Sequence, residues 1–342
     1  MMGCLRPKAP QTVPVRAEFV LATVCVIMLY DRGEPQVYEE VFARLREIEN
    51  RMSFFMEGSD INRINRAAGI EPVRVPGDVF YVIERAVYIA ELSGGAFDPT
   101  VGPLVALWDI GGATPPRIPP QEEIKKLLPL VNWQNVELDR ENQSVFLKKP
   151  GMALDLGAIA KGYAADEAAE IIRNAGIPQA IIDLGGNNLL VGEKADGTLW
   201  RIGIQDPLDE RGAYIGVLET RETSVVTSGV YERYFVYEGV HYHHLLSPSL
   251  GHPAQSGLLS ATIITGVSMD ADALSTAIFV MGHEKGRALV ESLDGVEAIF
   301  ILEDRSVLLS GGLTAGVDFF LTNEDYRLKQ NSQKLRKPGQ PG

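Results

Sequence analysis

The pattern of apolar and polar positions is most regular between Met152 and Gly192. Met152 to Leu156 is a short apolar run that ends at Gly157, which is typical of a buried strand. Apolar residues then recur at helical spacing as far as Gly176, where a helix C-terminal glycine is expected. A second apolar run, Ala180 to Leu184, is closed by two glycines. The pattern predicts a strand, a helix and a strand whose glycine turns let backbone lie close to a ligand.

A tight turn from a strand into a helix directs free N–H groups towards an anionic group such as a phosphate. The glycine spacing here is that of neither the Rossmann fingerprint nor the P-loop. Packing and turn geometry alone explain the unit equally well, so the rest of the chain has to decide between the two interpretations.

The same periodicities predict the elements along the rest of the chain. Helices are predicted at Val37–Met52, Asp78–Ser93 and Ala271–Val280, with a helix start near Pro120 and an N-cap at Ser59 or Asp60. Strands are predicted at Phe19–Tyr30, Leu199–Gln205, Tyr214–Glu219, Leu259–Thr265, Val296–Leu302 and Ser306–Leu309, and as the end of a strand at Ser224–Gly229. Hairpins are predicted at Val136–Leu147 and Tyr234–Tyr242. Ala96–Gly112 is interpreted as a shaped loop because of its Asp-Pro and Gly-Pro steps.

The chain shows no internal repeat and no long linker, which favours one domain. We predict an N-terminal tether at residues 1–14, a single domain at 15–328 and a disordered basic tail at 329–342. A formal charge of −13 over 342 residues, without a basic stripe, argues against nucleic acid as a partner. The longest apolar run, Phe19 to Tyr30, is shorter than the ~20 residues that a membrane-spanning helix needs.

The two cysteines bear on location rather than on catalysis. Cys25 lies in an apolar run and is expected to be a buried thiol. No secretory signal peptide is visible in the chain as given, but Gly3-Cys4 is what remains when a bacterial lipoprotein leader is trimmed before its lipidated cysteine. A chance Gly-Cys pair is the alternative.

Three groups of residues are candidates for chemistry. Asp272 and Thr276 are spaced i, i+4, so both oxygens lie on one helix face and suit Mg²⁺; a cap and a packing residue are the alternative. His243 and His244 are adjacent, so at most one of them can point into a given pocket if the segment is extended. Lys161, just after the Gly157 turn, is placed to face a phosphate or simply to be solvated.

Six segments occur in an order that resembles one family, the FAD:protein FMN transferase or ApbE family. They read AFDPTVGPLVALW, DLGAIAKGYAAD, IDLGGN, VVTSGVYERYF, HHLLSPSLGHP and DADALSTAIFVMG. The resemblance covers about Phe19 to Leu309. It implies an α+β fold: a single domain with a T-fold-like antiparallel core and two lobes around an FAD cleft. It also implies Mg²⁺-dependent transfer of FMN from FAD to a Thr or Ser of an acceptor flavoprotein, with release of AMP.

The resemblance also assigns roles to residues of this chain. Asp272 and Thr276 would be the side-chain ligands of Mg²⁺, with a backbone carbonyl, that of Ala160, completing the site. His244 would assist deprotonation of the acceptor hydroxyl. The residues expected to contact FAD are Phe55, Ala96, Phe97, Asp98, Gly157, Tyr163 and Leu246. If Gly3-Cys4 is such a lipoprotein remnant, the expected location is the periplasm or the outer face of a bacterial inner membrane, with Cys4 as a lipid anchor.

Three positions depart from the family pattern. Phe55 stands where Tyr or Asn is frequent, Ser247 replaces the usual Asp of the His-x-x-Asp-Pro motif, and Asp109 follows Trp108 where Gly is common. The loss of a polar group at Phe55 keeps hydrolysis of FAD to FMN and AMP as an alternative to transfer. A second alternative is an FAD-binding carrier without turnover, although such a carrier would not need the Asp272/Thr276 pair. The chain contains no acceptor motif of the Ser/Thr-Gly-Ala-Thr type, so self-flavinylation is not expected.

Overall fold

The computed structural model describes residues 14–30, 32–112, 115–316 and 318–329. The helices are α1 Pro35–Met52, α2 Asp60–Arg66, α3 Gly77–Leu92, α4 Gly102–Trp108, α5 Gln121–Leu127, α6 Ala160–Asn174, α7 Ser268–Met281 and α8 His283–Glu291. The first strands are β1 Val15–Val20, β2 Thr23–Leu29, β3 Val73–Arg74, β4 Val136–Asp139, β5 Ser144–Leu147, β6 Ala180–Leu184, β7 Asn187–Val191, β8 Trp200–Gln205 and β9 Tyr214–Thr220. The others are β10 Ser224–Gly229, β11 Tyr234–Tyr237, β12 Val240–His243, β13 Leu258–Thr265, β14 Glu297–Leu302, β15 Ser306–Leu309, β16 Phe319–Leu321 and β17 Arg327–Leu328.

Nine strands form the main sheet, in the order β1-β2-β6-β7-β10-β13-β14-β15-β17. Neighbouring strands are antiparallel, apart from the parallel pair β15 and β17. Two three-stranded sheets, β16-β9-β8 and β3-β5-β4, and the β11–β12 hairpin complete the fold. The predicted α+β class with an antiparallel core in one domain is confirmed.

The main sheet is buried on both faces where it passes under α7. Along β14, Ala298 and Phe300 pack towards the helices, whereas Ile299 and Ile301 pack towards the β16-β9-β8 sheet. Because side chains alternate between faces along a strand, a strand covered on both faces reads as a continuous apolar run. The apolar run at Val296–Leu302 therefore belongs to a central strand, as predicted.

Most predicted elements are confirmed, and the signals that predicted them are visible in the contacts. The Ser59 hydroxyl accepts the Asn62 N–H at 3.0 Å and so caps α2. Gly176 follows α6 with a φ of 72°, the left-handed conformation expected after a helix. Cys25 is buried and free, and burial raises the pKa of its thiol to about 12.

The prediction of a single strand at Phe19–Tyr30 is wrong. This segment contains the end of β1, a turn and the whole of β2, which together belong to the β1–β2 hairpin. Leu21 and Ala22 form its two-residue turn with φ values of 56° and 55°. Such turns favour Gly, Asn or Asp, whose absence here removes the usual hairpin signal.

Three further predictions of local structure are wrong. Met152–Leu156 is a buried segment without a strand: the Asn65 amide exchanges two hydrogen bonds with the Leu154 backbone, and the Asp155 N–H bonds the Pro99 carbonyl. The predicted loop Ala96–Gly112 contains helix α4, which begins at the Gly-Pro step because proline is well tolerated in the first turn of a helix. Ser224–Gly229 is a strand throughout rather than a strand ending in a turn.

The predicted tether and tail lie outside the described residues, apart from Pro14 and Lys329. Cys4 is therefore not described, and its lipidation stays a prediction. Within the described ranges, no helix is both long enough and apolar enough to cross a membrane.

Candidate functional site

The candidate site is built where the first turn of α6 crosses α7. Gly162 makes this close approach possible: a Cβ added there would lie 2.2 Å from the Ser268 carbonyl oxygen and 2.6 Å from Met269 Cα. The Asp166 carboxylate, one turn further along α6, accepts the N–H groups of Ser268 and Met269 at 2.9 Å each. The two helices are thus held together by a glycine contact and by a carboxylate that caps α7.

Asp272 lies at this crossing, only 4% exposed, and its Oδ2 accepts the Gly162 N–H at 3.0 Å. Burial raises the pKa of its carboxyl, while the Lys161 charge and the Gly162 and Lys161 N–H groups oppose that rise. A buried carboxylate is costly unless a cation or hydrogen bonds compensate it. Asp272 therefore lies in a setting that a divalent cation would stabilise.

Thr276 follows Asp272 by one turn of α7, and its hydroxyl lies 3.2 Å from that of Ser228 on β10. Ala160 begins α6 two residues before Gly162. One carboxylate, one hydroxyl and one backbone carbonyl form a hard-oxygen donor set of the type that Mg²⁺ accepts while it keeps several waters. No cluster of three or more His, Cys, Asp or Glu suited to a metal occurs in the described ranges. The residues present fit Mg²⁺ better than a metal that requires several nitrogen or sulfur ligands.

His243 and His244 are distinguished by the carbonyls that they contact. His243 is buried, and its Nε2 lies 3.1 Å from the Ala254 carbonyl oxygen. His244 is partly buried, and its Nδ1 lies 3.2 Å from the Arg233 carbonyl oxygen, which also accepts the His244 backbone N–H. Because a carbonyl only accepts, Nδ1 of His244 carries the proton and Nε2 presents a lone pair.

Two cations, Arg233 and Lys161, act electrostatically on His244. Burial and the nearby Arg233 lower the pKa of His244 to about 3, and Lys161 adds to this. Lys161 also acts on Asp272, and Arg233 on Asp155, which places these charges around one region. Neither Lys161 nor Arg233 forms an ion pair with a carboxylate in the part of the chain that the structure describes. Two unpaired cations beside a neutral histidine are suited to an anionic ligand.

Arg233→Gln is expected to raise the pKa of His244, because the substitution removes a positive charge and leaves the Arg233 carbonyl in place. The five histidines of the chain allow the measurement by NMR titration of the imidazole C–H signals. Arg201→Gln, on the exposed side of β8, is the matched control and should leave that pKa unchanged. If the pKa of His244 were the same in Arg233→Gln as in the wild type, Arg233 would not lie close enough to His244 to act on it.

The residues expected to contact FAD are distributed around this region, and several already have structural partners. Asp98 is buried and accepts hydrogen bonds from both Thr100 donors and from the Trp133 N–H. The Tyr163 hydroxyl accepts from Arg44 at 3.1 Å. These contacts fix side chains in place, and contact with FAD remains a prediction for both.

The other predicted FAD contacts differ in exposure. Phe97 is buried in the main core next to the partly buried Ala96, and Gly157 is exposed and donates its N–H to Asp155. Leu246 belongs to a small separate core with Leu104, Trp108 and Ile124. Phe55 is 66% exposed and packs edge-on against Phe54. Their contact with FAD is likewise a prediction.

Two of the three departures from the family pattern have a structural explanation. The Ser247 carbonyl and hydroxyl accept N–H groups of the turn that ends at Gly251, so a serine supplies the turn-forming contacts there. Asp109 ends α4 with a φ of 45°, a left-handed conformation that Asp tolerates better than most residues. Phe55 has an exposed ring, and nothing in the structure replaces the polar contact of Tyr or Asn.

Sequence reasoning missed Arg233, Asp166 and Ser228. Arg233 belongs to the quoted segment VVTSGVYERYF, yet its role depends on the hairpin that brings its carbonyl to His244. Asp166 ends the quoted segment DLGAIAKGYAAD, and burial raises its pKa to about 6. No periodicity signal distinguishes Arg233 and Asp166 from solvated charges, or Ser228 from an ordinary serine in a strand.

The structure is that of a single-domain α+β protein whose candidate site combines a histidine flanked by two cations with a buried carboxylate that shares one of these cations. The model of the ApbE family matches residues 21–300, and the chain belongs to this family. A protein of Treponema pallidum (strain Nichols) named FAD:protein FMN transferase is 38% identical over 315 residues, covering 87% of each chain. A Klebsiella pneumoniae (strain 342) protein of the same name is 38% identical over 293 residues, covering 85% of this chain and 90% of its own.

Solved structures agree with the family membership. The crystal structure of the ApbE protein of Thermotoga maritima superposes with a TM-score of 0.81 at 36% identity, covering 88% of this chain and 97% of its own. The flavin transferase ApbE of Vibrio cholerae gives a TM-score of 0.78 at 27% identity, covering 88% of this chain and 98% of its own.

Proposed function

We propose that this protein is an Mg²⁺-dependent FAD:protein FMN transferase. It would move FMN from FAD to a Thr or Ser hydroxyl of an acceptor protein and release AMP. The observation that carries the proposal is that Lys161 acts electrostatically on both His244 and Asp272, while Arg233 acts on His244. The names of the Treponema and Klebsiella relatives support the same activity.

The charges of the site account for recognition of the FAD pyrophosphate. Lys161 and Arg233 both act on His244 and have no carboxylate partner in the described ranges, so an anionic substrate would neutralise them. Asp272, Thr276 and the Ala160 carbonyl would hold Mg²⁺, which neutralises charge that develops on a pyrophosphate and helps to align the reacting oxygens.

His244 would act on the acceptor hydroxyl through Nε2. In the reaction, the acceptor oxygen forms a bond to the FMN phosphorus, the bond from that phosphorus to the AMP phosphate oxygen breaks, and the hydroxyl proton passes to Nε2. The lowered pKa keeps the imidazole neutral near pH 7, so it can accept a proton. A bound pyrophosphate opposes the Lys161 and Arg233 charges and so raises the pKa of His244 when it is needed as a base.

His244→Ala is expected to slow transfer by about 10²–10⁴-fold, the usual contribution of a general base. Its effect on the dissociation constant of FAD should stay within about threefold, because the cations that bind the anion remain. Single-turnover transfer and FAD titration measure the two quantities separately. His283→Ala, at the start of α8, is the control. Weaker FAD binding with an unchanged rate of transfer would make His244 a wall of the pocket rather than a base.

The decisive experiment incubates the purified protein with FAD and Mg²⁺, with and without a peptide that carries a Thr-Gly-Ala-Thr segment. AMP and FMN are measured by chromatography, and the peptide by mass. AMP that forms only with the peptide, together with a mass gain of FMN on the peptide, is the expected result. AMP with free FMN in the absence of peptide would establish a hydrolase, and unchanged FAD in both would establish a carrier.

A further inference from the structure

A second concave surface lies on the other side of the histidine pair. It is a cleft of about 1080 Å³ between the loop that joins β8 to β9, the segment that follows β10, the β11–β12 hairpin and the residues that lead into β13. We call it the acidic cleft. His243 lines it, whereas His244 does not.

The charge of the acidic cleft is opposite to that around His244. Four carboxylates line it, those of Asp209, Glu210, Glu232 and Glu303, against the single guanidinium of Arg211. Arg211 lies 3.8 Å from Glu232, while Glu210 and Glu303 are exposed and have no ion pair in the described ranges. Such a surface repels the phosphates of FAD and attracts a basic ligand.

One wall of the cleft is a hairpin face with the features of a peptide-binding surface. Tyr234 pairs with His243 across the hairpin, and the rings of Tyr234 and His241 stack with centroids 4.4 Å apart. Tyr234 and Val236 are about half exposed on this face. An exposed tyrosine beside carboxylates can bind the aliphatic and cationic parts of a lysine or arginine side chain.

His243 supplies a second indication that a ligand belongs here. Its Nε2 donates to the Ala254 carbonyl, which leaves Nδ1 as an acceptor. That atom is buried and has no hydrogen-bond partner in the described part of the chain. An N–H or O–H donor in the cleft would satisfy it.

The inner end of the cleft adjoins the transfer site. Val230 lines the cleft two residues after Ser228, whose hydroxyl contacts Thr276. His243 and His244 are consecutive, and successive residues of an extended segment are ~3.3 Å apart and point to opposite sides. The two imidazoles therefore lie on opposite sides of one short segment, so an acceptor chain whose flanking residues lie in the cleft would bend past this segment to bring its hydroxyl to His244.

We propose that the acidic cleft binds an extended, basic segment of the acceptor protein and thereby selects the hydroxyl that receives FMN. This inference rests on the proposed function, because it names the partner of the same site. FAD would occupy the cationic side of the histidine pair, and the acceptor segment would occupy the acidic side.

The test uses three synthetic peptides that share a central Thr-Gly-Ala-Thr and differ in their flanks, which are lysine-rich, serine-rich or glutamate-rich. Their binding to the full chain is measured by fluorescence anisotropy, independently of turnover. The test variant is Glu210→Lys/Glu303→Lys. The control, Glu71→Lys/Glu170→Lys, makes the same change in net charge at two exposed positions outside the cleft.

The lysine-flanked peptide should bind the wild type and the control about tenfold more tightly than the glutamate-flanked peptide, and the test variant should lose or reverse this preference. An absence of preference in the wild type, or the same preference in the test variant, would overturn the proposal. So would a change in the KM for FAD in the test variant that exceeds that of the control, because the cleft would then serve FAD. If the double substitution impairs folding, Glu210→Gln/Glu303→Gln is measured in its place.

Transfer of FMN is followed separately by the mass of each peptide. A preference for basic flanks without any transfer would leave the cleft as a peptide site and refute the transferase. Transfer without the preference would support the transferase and refute the role of the cleft.

Discussion

Asp272→Ala is expected to reduce Mg²⁺-dependent turnover of FAD by about a thousandfold or more, because a metal at a pyrophosphate contributes several kcal/mol of charge stabilisation. The folded state should survive. The variant loses a partner for the Gly162 N–H, which costs about 1–3 kcal/mol, but it also removes a buried carboxyl whose ionised form is disfavoured. The measurements are AMP release and thermal unfolding, with and without MgCl₂.

The thermal shift distinguishes a metal ligand from a structural residue. A metal that binds only the folded state raises the unfolding temperature, so Mg²⁺ should stabilise the wild type and not Asp272→Ala. Protons compete with the metal for a carboxylate, so the stabilisation should weaken as the pH falls through the raised pKa of Asp272.

Asp270→Asn is the matched control on the same helix. Asp270 forms a bidentate pair with Arg85 at 2.7 and 2.6 Å, on a different side of α7 from Asp272. This control should keep both turnover and the Mg²⁺-dependent shift. Full activity of Asp272→Ala, or an equal loss in Asp270→Asn, would remove the metal assignment.

The fold was predictable where one periodicity dominated. The helical spacing of Val41, Leu45 and Ile48 matches a helix with one buried face, and the apolar run in β14 matches a strand covered on both sides. The prediction failed where side-chain contacts replaced backbone ladders. The Leu154 backbone, for example, finds its partner in an Asn65 amide that is distant in sequence.

Only those parts of the candidate site that depend on residues close together in the sequence could be predicted. Asp272 and Thr276 lie one helical turn apart, so their shared face follows from the sequence. The position of Arg233 beside His244 depends on the register of the β11–β12 hairpin, and the capping of α7 by Asp166 depends on how two helices cross. Contacts of this kind are set by tertiary packing, and no local pattern in one sequence encodes them.

Gly162→Ala tests the helix crossing, because helix propensity and packing predict opposite changes in the free energy of unfolding. Intrinsic propensity favours alanine over glycine by ~1 kcal/mol in a helix interior, which is an upper limit for Gly162 in the first turn of α6, so propensity alone predicts a more stable protein. Packing predicts the opposite, since the new Cβ would lie 2.2 Å from the Ser268 carbonyl oxygen, a backbone atom that cannot turn aside. We expect packing to dominate and the free energy of unfolding to fall by about 2–4 kcal/mol.

The same substitution should also impair the site, because separation of α6 from α7 moves Asp272 away from Ala160 and Lys161. A displacement of ~1 Å can reduce turnover by about 10²-fold. Gly266→Ala is the control: this glycine precedes α7, has no left-handed φ and has open space around its Cβ position. Urea unfolding measures the stability of both variants, and AMP release measures their turnover. If Gly162→Ala were as stable and active as Gly266→Ala, the close crossing would not be what positions Asp272, and the carboxylate would have to be held by α7 alone.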